Sequence, residues 1–385
     1  MATLEPSPGT STTIGERYGV ARGHRSASAW RIGVMVGALL LSGCSAGDVE
    51  RNAEPPPAPE SIDSDALLTR RLDSDKPGCS AAVGVDGTVV WAGARGVADL
   101  ASGQDLNTDT IFDIASVSKQ FTATAILLLA ADGGLSTGDP VSVHLPGLPT
   151  WAEQVTIAHL LHHTSGLPHY SEILEAQGYL PSQGTTQAQA VQALAHSPAL
   201  RSRPGSRYEY GNSSYLLLAE IVRSVSGMPL PRFLQERIFE PLGLGMTMDP
   251  TADIPGKAIR HTDALDGRGL QAADRGWEQI GGTGVQATPS DLVRWADNYR
   301  TGKIGGRRLL DAQLADTVES NLPGTAYGAG IAIKPDGALF HDGGLPGVGT
   351  YFEIMADRHT AVAVACNFED VNPAFLAEEL RKIWA

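Results

Sequence analysis

The sequence predicts a multi-domain α+β fold, in which an antiparallel sheet is flanked by helices and carries an inserted helical lobe. Strand-like segments occur near both ends of the chain body, and the middle, roughly residues 135–310, is rich in helices and loops. The chain has 385 residues, 42% of them hydrophobic, which is enough for a large core. Its net charge of −14 argues against a nucleic-acid partner, which would need a clustered basic face.

The first 44 residues differ from the rest in charge and pattern. They carry a net charge of +2, and the remainder carries −16. Arg31 precedes an apolar run, 32–41, which is too short to cross a bilayer of ~30 Å as a helix. A basic lead, a short apolar run and small residues before the break form the pattern of a secretory signal.

The apolar run ends in Leu41-Ser42-Gly43-Cys44, which resembles the lipobox of bacterial lipoproteins. We therefore expect residues 1–44 to be a lipoprotein signal peptide, with Cys44 lipidated as the new N-terminus. An ordinary signal peptide that contains a cysteine is the alternative. The lipoprotein interpretation predicts an exported protein anchored to the cell envelope, on the periplasmic face of the inner or the outer membrane.

Residues 45–60 include the run Pro55-Pro56-Pro57-Ala58-Pro59. Such a stretch cannot form a core and favours polyproline II, so we expect a tether between the anchor and a domain that spans 61–385.

A helix and a hairpin are predicted at the start of this domain. Residues 62–71 fit a helix with Ser61 as a candidate N-cap. Two β-rich runs, 79–85 and 88–93, are separated by Asp86-Gly87, which is a strong signal for a two-residue hairpin turn.

Helices follow in the middle of the chain and strands in its last third. Residues 116–131 are apolar nearly all round, so this helix is expected to be buried. Further helices are predicted at 187–196, 215–225 and 291–300. Strands are predicted at 330–334, 338–341, 351–355 and 361–366, and a closing helix at 373–383.

The first chemical signal, Ser116-Val117-Ser118-Lys119, opens the buried helix. Residues three apart on a helix share one face, so we expect Lys119 beside the Ser116 hydroxyl and near the core. Burial lowers the pKa of a lysine, and a neutral amine can accept a proton from serine. The alternative is a capping serine followed by an exposed lysine.

The second signal is the pair Tyr210 and Asn212, which precedes a predicted helix. If this segment is extended, the two side chains project to the same side and present a phenol and an amide to one cleft. A surface turn, which Gly211-Asn212 favours, is the alternative.

The third signal is His341-Asp342-Gly343-Gly344, which follows a predicted strand. Glycines there let a substrate backbone approach the strand edge. A histidine at this position can donate or accept a hydrogen bond near pH 7.

Together and in this order, the three motifs resemble the serine β-lactamase and penicillin-binding protein superfamily. The similarity is greater to its class C β-lactamase-related branch, which includes D-alanyl-D-alanine carboxypeptidases, D-aminopeptidases and family VIII esterases. Segments 156–167, 281–292 and 327–330 also resemble that branch, and the similarity runs from about residue 70 to 380. It implies the β-lactamase/transpeptidase-like fold.

The resemblance implies a serine hydrolase that needs no cofactor or metal. Ser116 would be the nucleophile that forms an acyl-enzyme, and Lys119 would help to deprotonate it. Tyr210 would be the partner general base and the acid that protonates the leaving group.

The resemblance also implies how a substrate is held. Asn212 would hydrogen-bond the acyl side chain of the substrate. Backbone N–H groups of Ser116 and Gly344 would form an oxyanion hole, worth ~3–4 kcal/mol per donor. His341, Gly343 and Gly344 would form the substrate-binding strand.

The His341-Asp342-Gly343 motif departs from the Lys-Thr-Gly of a true class C β-lactamase. Lysine is a fixed cation that holds a substrate carboxylate, whereas histidine is mostly neutral at pH 7, and Asp342 adds a negative charge. We therefore expect a small ester, amide or D-peptide as substrate, cleaved by an esterase or a D-amino-acid peptidase or carboxypeptidase. A true β-lactamase and a non-catalytic lipoprotein that binds peptidoglycan are the alternatives.

Two other residue sets have competing interpretations. His159, His162, His163 and His169 cluster in sequence, but there is no His-Glu-x-x-His and no acidic ligand at helical spacing, so we do not expect a metal site. Cys79 and Cys366 lie in strands that the family fold places side by side. In an exported protein they could form a disulfide, and free buried thiols are the alternative.

Overall fold

The computed structural model describes residues 58–179, 184–264, 267, 269–273 and 278–385. The signal peptide predicted at 1–44, and most of the tether predicted at 45–60, lie outside the described residues. The helices are α1 Pro59–Arg71, α2 Lys119–Ala131, α3 Val141–His144, α4 Ile157–Leu161, α5 Tyr170–Ala176, α6 Gln187–Ala195, α7 Asn212–Ser226, α8 Leu230–Leu234, α9 Glu240–Leu242, α10 Pro289–Ala296, α11 Asn298–Thr301, α12 Gly306–Leu314 and α13 Pro373–Ile383.

Shorter helical turns also occur: 3-10 turns at Ala115–Ser118 and Thr150–Glu153, and a π-helical turn at Gln235–Phe239. The strands are β1 Cys79–Val85, β2 Thr88–Arg95, β3 Val97–Asp99, β4 Gln104–Asp105, β5 Phe112–Asp113, β6 Thr247–Met248, β7 His261–Asp263, β8 Leu270–Ala272, β9 Val285–Ala287, β10 Val318–Glu319, β11 Ala326–Tyr327, β12 Ala332–Ile333, β13 Leu339–Leu345, β14 Val348–Ile354 and β15 Thr360–Cys366.

The main sheet combines strands from the two ends of the domain. Within the described residues its order is β10-β11-β12-β13-β14-β15-β1-β2, and all neighbouring strands are antiparallel. The hairpin predicted at Asp86-Gly87 joins β1 and β2, and both residues have positive φ, 51° and 75°. The helical segments between β5 and β10 are inserted into this sheet in sequence order. The predicted α+β fold is confirmed.

The sheet separates two hydrophobic cores. On β15, Ala361 and Ala363 belong to a core that includes α2 and α10, whereas Val362 and Val364 belong to a core with α1 and α13. This alternation follows from the two-residue period of a strand, which sends successive side chains to opposite faces. The α2 helix is buried from Lys119 to Leu129, as its all-round apolar sequence predicts.

Several predicted boundaries are wrong by a few residues. α1 begins at Pro59 after Ala58, so Ser61 lies inside the helix and is not its N-cap. Proline suits the first helical position because its φ is already helical and it lacks an N–H to satisfy. The helix predicted at 291–300 is two helices, α10 and α11, and α10 begins after Thr288, whose side chain accepts a hydrogen bond from the Asp291 N–H.

The strand predicted at 330–334 is reduced to β12, Ala332–Ile333. Gly330 has a φ of +78°, and a Cβ there would lie 2.7 Å from the backbone oxygen of Lys119. The chain bends at this point because it passes directly over the start of α2, so regular strand geometry begins two residues later.

A disulfide joins the first and last strands of the domain, Cys79 on β1 and Cys366 on β15. The two residues are direct partners in the antiparallel register. The bridge closes a loop with a sequence separation of 287 and lies in the fully buried interior. Of the two states that the sequence left open for these cysteines, the structure has the bonded one.

Among the described residues, no helix is both long enough and apolar enough to span a bilayer.

Candidate active site

Ser116 lies in the 3-10 turn Ala115–Ser118, which continues directly into α2. The α-helix itself therefore begins at Lys119, and not at Ser116 as predicted. The contact expected between the two residues survives, because side chains three apart are eclipsed in a 3-10 turn. Ala115 has a φ of +47°, a left-handed conformation that costs a non-glycine residue roughly 1 kcal/mol.

Neighbouring strands hold this strained turn in place. The carboxylate of Asp113 accepts a hydrogen bond of 2.9 Å from the Ala115 N–H. The Thr350 hydroxyl on β14 donates one of 2.9 Å to the Ile114 carbonyl. β5, which leads into the turn, pairs with β9. The nucleophile is therefore attached both to the main sheet and to the segment that contains Gly281 and Gly282.

Lys119 is fully buried, and its Nζ atom has three oxygen partners. It lies 3.0 Å from Ser116 Oγ, 2.8 Å from Asn212 Oδ1 and 2.8 Å from the Gly282 carbonyl oxygen. Burial lowers the pKa of Lys119 to about 7, with the Asp342 carboxylate opposing the shift. A substantial share of the amine is therefore neutral at physiological pH.

These partners fix the orientation of the neutral amine. The Gly282 carbonyl and the Asn212 side-chain oxygen can only accept hydrogen bonds, so they take the two N–H groups of a neutral Lys119. The remaining tetrahedral direction holds the nitrogen lone pair, and it points at Ser116 Oγ. The arrangement thus presents a base to the serine hydroxyl.

Tyr210 lines the same cleft as Ser116, and the Ser116 side chain is close enough to oppose the rise of the Tyr210 pKa. The centroid of its ring is 4.8 Å from Lys119 Nζ. Burial raises the pKa of Tyr210 well above its usual range. Its phenol therefore remains protonated at neutral pH, which suits it to proton donation and relay more than to a standing base.

His163 holds the segment around Tyr210 in place. Its carbonyl oxygen accepts a hydrogen bond of 2.7 Å from the Glu209 N–H, and its Nδ1 accepts one of 3.3 Å from the Gly211 N–H. The imidazole lies 4.4 Å from the Tyr210 ring, centroid to centroid. From the sequence, His163 has no specific role beyond its place in the segment 156–167; in the structure its backbone carbonyl and its ring contact the residues on both sides of Tyr210.

Burial, and to a smaller degree the nearby Lys119, lower the pKa of His163 well below its usual value. His159 and His162 also have structural contacts, with the Thr156 N–H and the Ala158 carbonyl. In the described part of the chain, no three His, Cys, Asp or Glu side chains are grouped as a metal would require.

His341 on β13 is buried and neutral. Its Nδ1 is 2.5 Å from the Asp342 carbonyl oxygen, which can only accept, so Nδ1 carries the proton. Nε2 is then an acceptor for the Tyr327 hydroxyl, 3.0 Å away. Burial lowers the pKa of His341 to about 4. The site thus lacks, at this position, the fixed cation that a lysine would supply.

The two glycines after His341 and Asp342 differ in their surroundings. A Cβ on Gly343 would lie 2.3 Å from Thr350 Oγ1 and 2.6 Å from the Ile114 carbonyl oxygen, so only glycine lets β13 lie against the nucleophile turn. A Cβ on Gly344 would meet nothing within 4 Å. Gly344 borders the cleft, and its role as an oxyanion donor with the Ser116 N–H stays a prediction.

The cleft beside Ser116 has a volume of about 380 Å³. Aromatic side chains form much of its wall, and the turn between β10 and β11 covers one side. The lining residues include Tyr208, Tyr210, Tyr327, Phe340, His341 and Leu322.

Asn212 is the first residue of α7 and does not continue an extended strand from Tyr210. Gly211 before it is extended, and the bend at Asn212 turns the amide toward Lys119. Its oxygen is therefore occupied by Lys119, and its predicted hydrogen bond to the acyl side chain of a substrate stays a prediction.

Tyr327 and the Gly282 carbonyl are functional groups that the motifs alone did not assign. Both belong to segments, 327–330 and 281–292, whose resemblance to the family was the available signal. A carbonyl oxygen has no sequence signature, so the role of Gly282 emerges only from its distance to Lys119.

The family model described as β-lactamase matches residues 64–382. The chain belongs to the β-lactamase family. This match confirms the resemblance inferred from the motifs. The name describes the family and not the reaction of each member.

Proteins that carry other names are also similar to this chain. A D-aminopeptidase of Cereibacter sphaeroides is 30% identical over 321 residues, which cover 80% of this chain and 61% of that protein. The chain thus spans about three fifths of that relative. A penicillin-binding protein homologue from Pyrococcus abyssi has a TM-score of 0.70 at 25% identity and covers 84% of this chain and 75% of its own.

A solved D-amino acid amidase from Ochrobactrum anthropi SV3 is similar in fold. Its TM-score is 0.71 at 22% identity, and the match covers 85% of this chain and 97% of that protein. These solved structures confirm the β-lactamase/transpeptidase-like fold.

Proposed function

We propose that the protein is a serine hydrolase that forms an acyl-enzyme on Ser116 and cleaves an amide or ester of a small D-amino-acid derivative or peptide. The observation that carries this proposal is the buried Lys119, whose two acceptor partners, Asn212 Oδ1 and the Gly282 carbonyl, leave its lone pair directed at Ser116 Oγ. A structural lysine gains nothing from such burial, because an unpaired buried cation is costly. A lysine that activates a serine nucleophile must be partly neutral near pH 7, and burial makes Lys119 so.

In the acylation step, Ser116 Oγ attacks the carbonyl carbon while its proton passes to the Lys119 amine. The carbonyl π electrons move to the oxygen, which the N–H groups of Ser116 and Gly344 would stabilise. The tetrahedral intermediate then collapses, and the C–N or C–O bond to the leaving group breaks. Tyr210 donates a proton to the departing nitrogen or oxygen, and Lys119 returns the proton gained from serine to Tyr210.

In the deacylation step, water attacks the acyl-enzyme carbonyl and loses a proton to the same two groups, Lys119 and Tyr210. The bond between carbonyl carbon and Ser116 Oγ breaks, and the oxygen recovers its proton. The products are a carboxylic acid and the free serine, so the cycle needs no cofactor.

The substrate class is supported by the relatives and by His341. The similarity to the D-aminopeptidase extends over 80% of this chain. A neutral His341 supplies no charge to hold the carboxylate of a β-lactam, which favours an uncarboxylated ester, amide or peptide. An esterase activity on small acyl esters uses the same steps.

A fluorophosphonate probe tests the acyl-enzyme directly. We expect the folded protein to gain one covalent adduct, and Ser116→Ala to gain none while retaining its melting temperature. Ser118→Ala is the matched control, because Ser118 lies in the same turn and its hydroxyl instead accepts from the Val285 N–H. Absence of labelling at Ser116 in folded protein would refute the proposal.

A panel of three substrates tests the substrate class: a D-alanine p-nitroanilide, p-nitrophenyl butyrate and nitrocefin. We expect the anilide or the ester to be turned over faster than nitrocefin. A large preference for nitrocefin would contradict the role given to His341.

We further propose that the protein is exported and anchored in the cell envelope through a lipid on Cys44. The lipobox-like end of the apolar run supports this, and so does the Cys79–Cys366 disulfide, since such bonds persist in oxidising compartments. Partition into a detergent phase from cells that express the full chain provides the test. Cys44→Ala is expected to leave the detergent phase, and an unchanged partition would contradict the anchor.

A further inference from the structure

Asp342 lies on β13 between buried His341 and buried Gly343, and its own side chain is exposed. It borders two depressions at once. One is the 380 Å³ cleft that contains Ser116. The other is an adjoining groove of about 650 Å³, which runs over the ends of β13 and β14 toward the start of α13. Any substrate that reaches Ser116 from this side passes the Asp342 carboxylate.

The charged side chains that line the two depressions, among the described residues, are all acidic. Among the described residues, the cleft lining contains Asp342 and no lysine or arginine. The groove lining adds Glu369 and Asp370, both exposed, and again contains no basic side chain in the described part of the chain. Like Glu369 and Asp370, Asp342 has no ion-pair partner among the described residues.

The cations nearest to the reaction centre do not neutralise this carboxylate. Lys119 is below the cleft floor, and its Nζ is engaged by three oxygens. His341 is neutral near pH 7, because burial lowers its pKa to about 4. The field of Asp342 nevertheless reaches the reacting groups, since it opposes the lowering of the Lys119 pKa and adds to the raising of the Tyr210 pKa.

We propose that Asp342 is a specificity-determining residue that selects substrates with a positively charged ammonium group beside the scissile bond. This inference rests on the proposed serine hydrolase function and names the charge of its substrate. A carboxylate in the same place is repelled by Asp342 and finds no cation in the described lining. An ammonium group is attracted by the Asp342 carboxylate.

Ser116 labelling measures this selection without assuming a natural substrate. Three alkyl fluorophosphonates of equal chain length, ending in an ammonium, a methyl or a carboxylate group, are compared by their second-order rate constants of labelling. We expect the wild-type order ammonium, methyl, carboxylate. In Asp342→Asn, the ammonium-to-methyl ratio is expected to fall about tenfold, as for loss of one close charge pair in a partly shielded site.

The matched control is Asp63→Asn, an exposed carboxylate on α1 that changes the net charge equally and lies outside both depressions. Its labelling ratios should equal those of the wild type. Because ratios are compared, any effect of Asp342 on the Lys119 pKa cancels. The wild-type preference for ammonium should also weaken at high salt, since exposed charges are screened.

Two substrate pairs then locate the ammonium group. D-alanine p-nitroanilide against its N-acetyl derivative places the charge on the acyl side. 4-(Aminomethyl)phenyl acetate against 4-ethylphenyl acetate places it on the leaving group. The pair whose ratio collapses in Asp342→Asn identifies the side that faces Asp342.

The outcomes separate the two levels of the proposal. Equal labelling by the three probes, or ratios unchanged in Asp342→Asn, overturns the selection by Asp342 and leaves the serine hydrolase intact. No labelling of Ser116 by any probe overturns the proposed function and this inference with it. A collapse of the ratio in Asp342→Asn but not in Asp63→Asn supports both.

Discussion

Lys119 shows how one residue can link burial to chemistry. A lysine with its ordinary pKa of 10.5 is almost entirely charged at pH 7, and it then has no lone pair to offer. Its burial lowers the pKa to about 7, and the carbonyl of Gly282 and the amide oxygen of Asn212 orient the neutral amine. The role of general base proposed for Lys119 therefore depends on its position in the fold.

The pH dependence of kcat/KM should report this pKa. Lys119 acts in its neutral form, so activity on an uncharged ester is expected to rise with pH through about 7 and to level off above it. Below pH 7 the rate should fall about tenfold per pH unit. Lys119→Arg, which remains charged throughout, should lose at least about a thousandfold. A wild-type profile that is flat between pH 5.5 and 8.5 would contradict the assignment.

Gly343 and Gly344 form a matched pair for a stability measurement. Gly343→Ala is expected to lower the free energy of unfolding by about 1–3 kcal/mol, because its Cβ would overlap Thr350 Oγ1 and the Ile114 carbonyl. Gly344→Ala should leave the free energy of unfolding almost unchanged, since open space surrounds that Cβ. Urea unfolding of the two variants measures the difference. Equal losses of unfolding free energy would contradict the close contact between β13 and the turn that contains Ser116.

At the scale of elements, the site depends on segments that approach each other without side chains between them. A Cβ on Gly281 would lie 2.3 Å from the Tyr215 carbonyl, and one on Gly282 would lie 2.8 Å from Asn212 Oδ1. This close approach brings a loop carbonyl next to α7 and within hydrogen-bond distance of Lys119 on α2. Three elements far apart in sequence thus supply the partners of one amine.

β1 pairs with β15 inside the main sheet and so joins the first strands of the domain to the last ones. The Cys79–Cys366 bond cross-links these two strands. Replacing both cysteines with alanine should lower the free energy of unfolding by about 2–5 kcal/mol, because the unfolded chain is no longer constrained by a very long loop. Urea unfolding with and without a reducing agent measures the effect. If reduction destabilises the double variant as much as the wild type, the loss does not come from this bond.

At the scale of the whole molecule, the chain from Pro56 to Ala385 forms its own compact unit. All the groups assigned to the reaction lie within it. A protein that consists of residues 58–385 is therefore expected to fold and to keep the kcat/KM of the full chain on a soluble ester. A loss of more than about threefold with an unchanged melting temperature would show that the preceding residues contribute to the site.

The order of strands along the chain could be predicted only in part. The hairpin at Asp86-Gly87, strand 79–85 and helix 373–383 agree with the structure, because local turn chemistry and periodicity specify them. The limits of β12 and the split between α10 and α11 were not predicted correctly. Their limits depend on tertiary contacts, such as the passage of Gly330 over Lys119.

By itself, the sequence determined the fold class, the family and the contact between Ser116 and Lys119, since these depend on periodicity and on motif spacing. Only the tertiary structure decided the protonation and direction of the Lys119 amine, the neutral tautomer of His341, the bracket that His163 forms around Tyr210, and the unpaired charge of Asp342. Each of these depends on distances to groups remote in sequence, many of them backbone carbonyls. Burial and hydrogen-bond geometry, which no linear motif encodes, set the chemistry of this site.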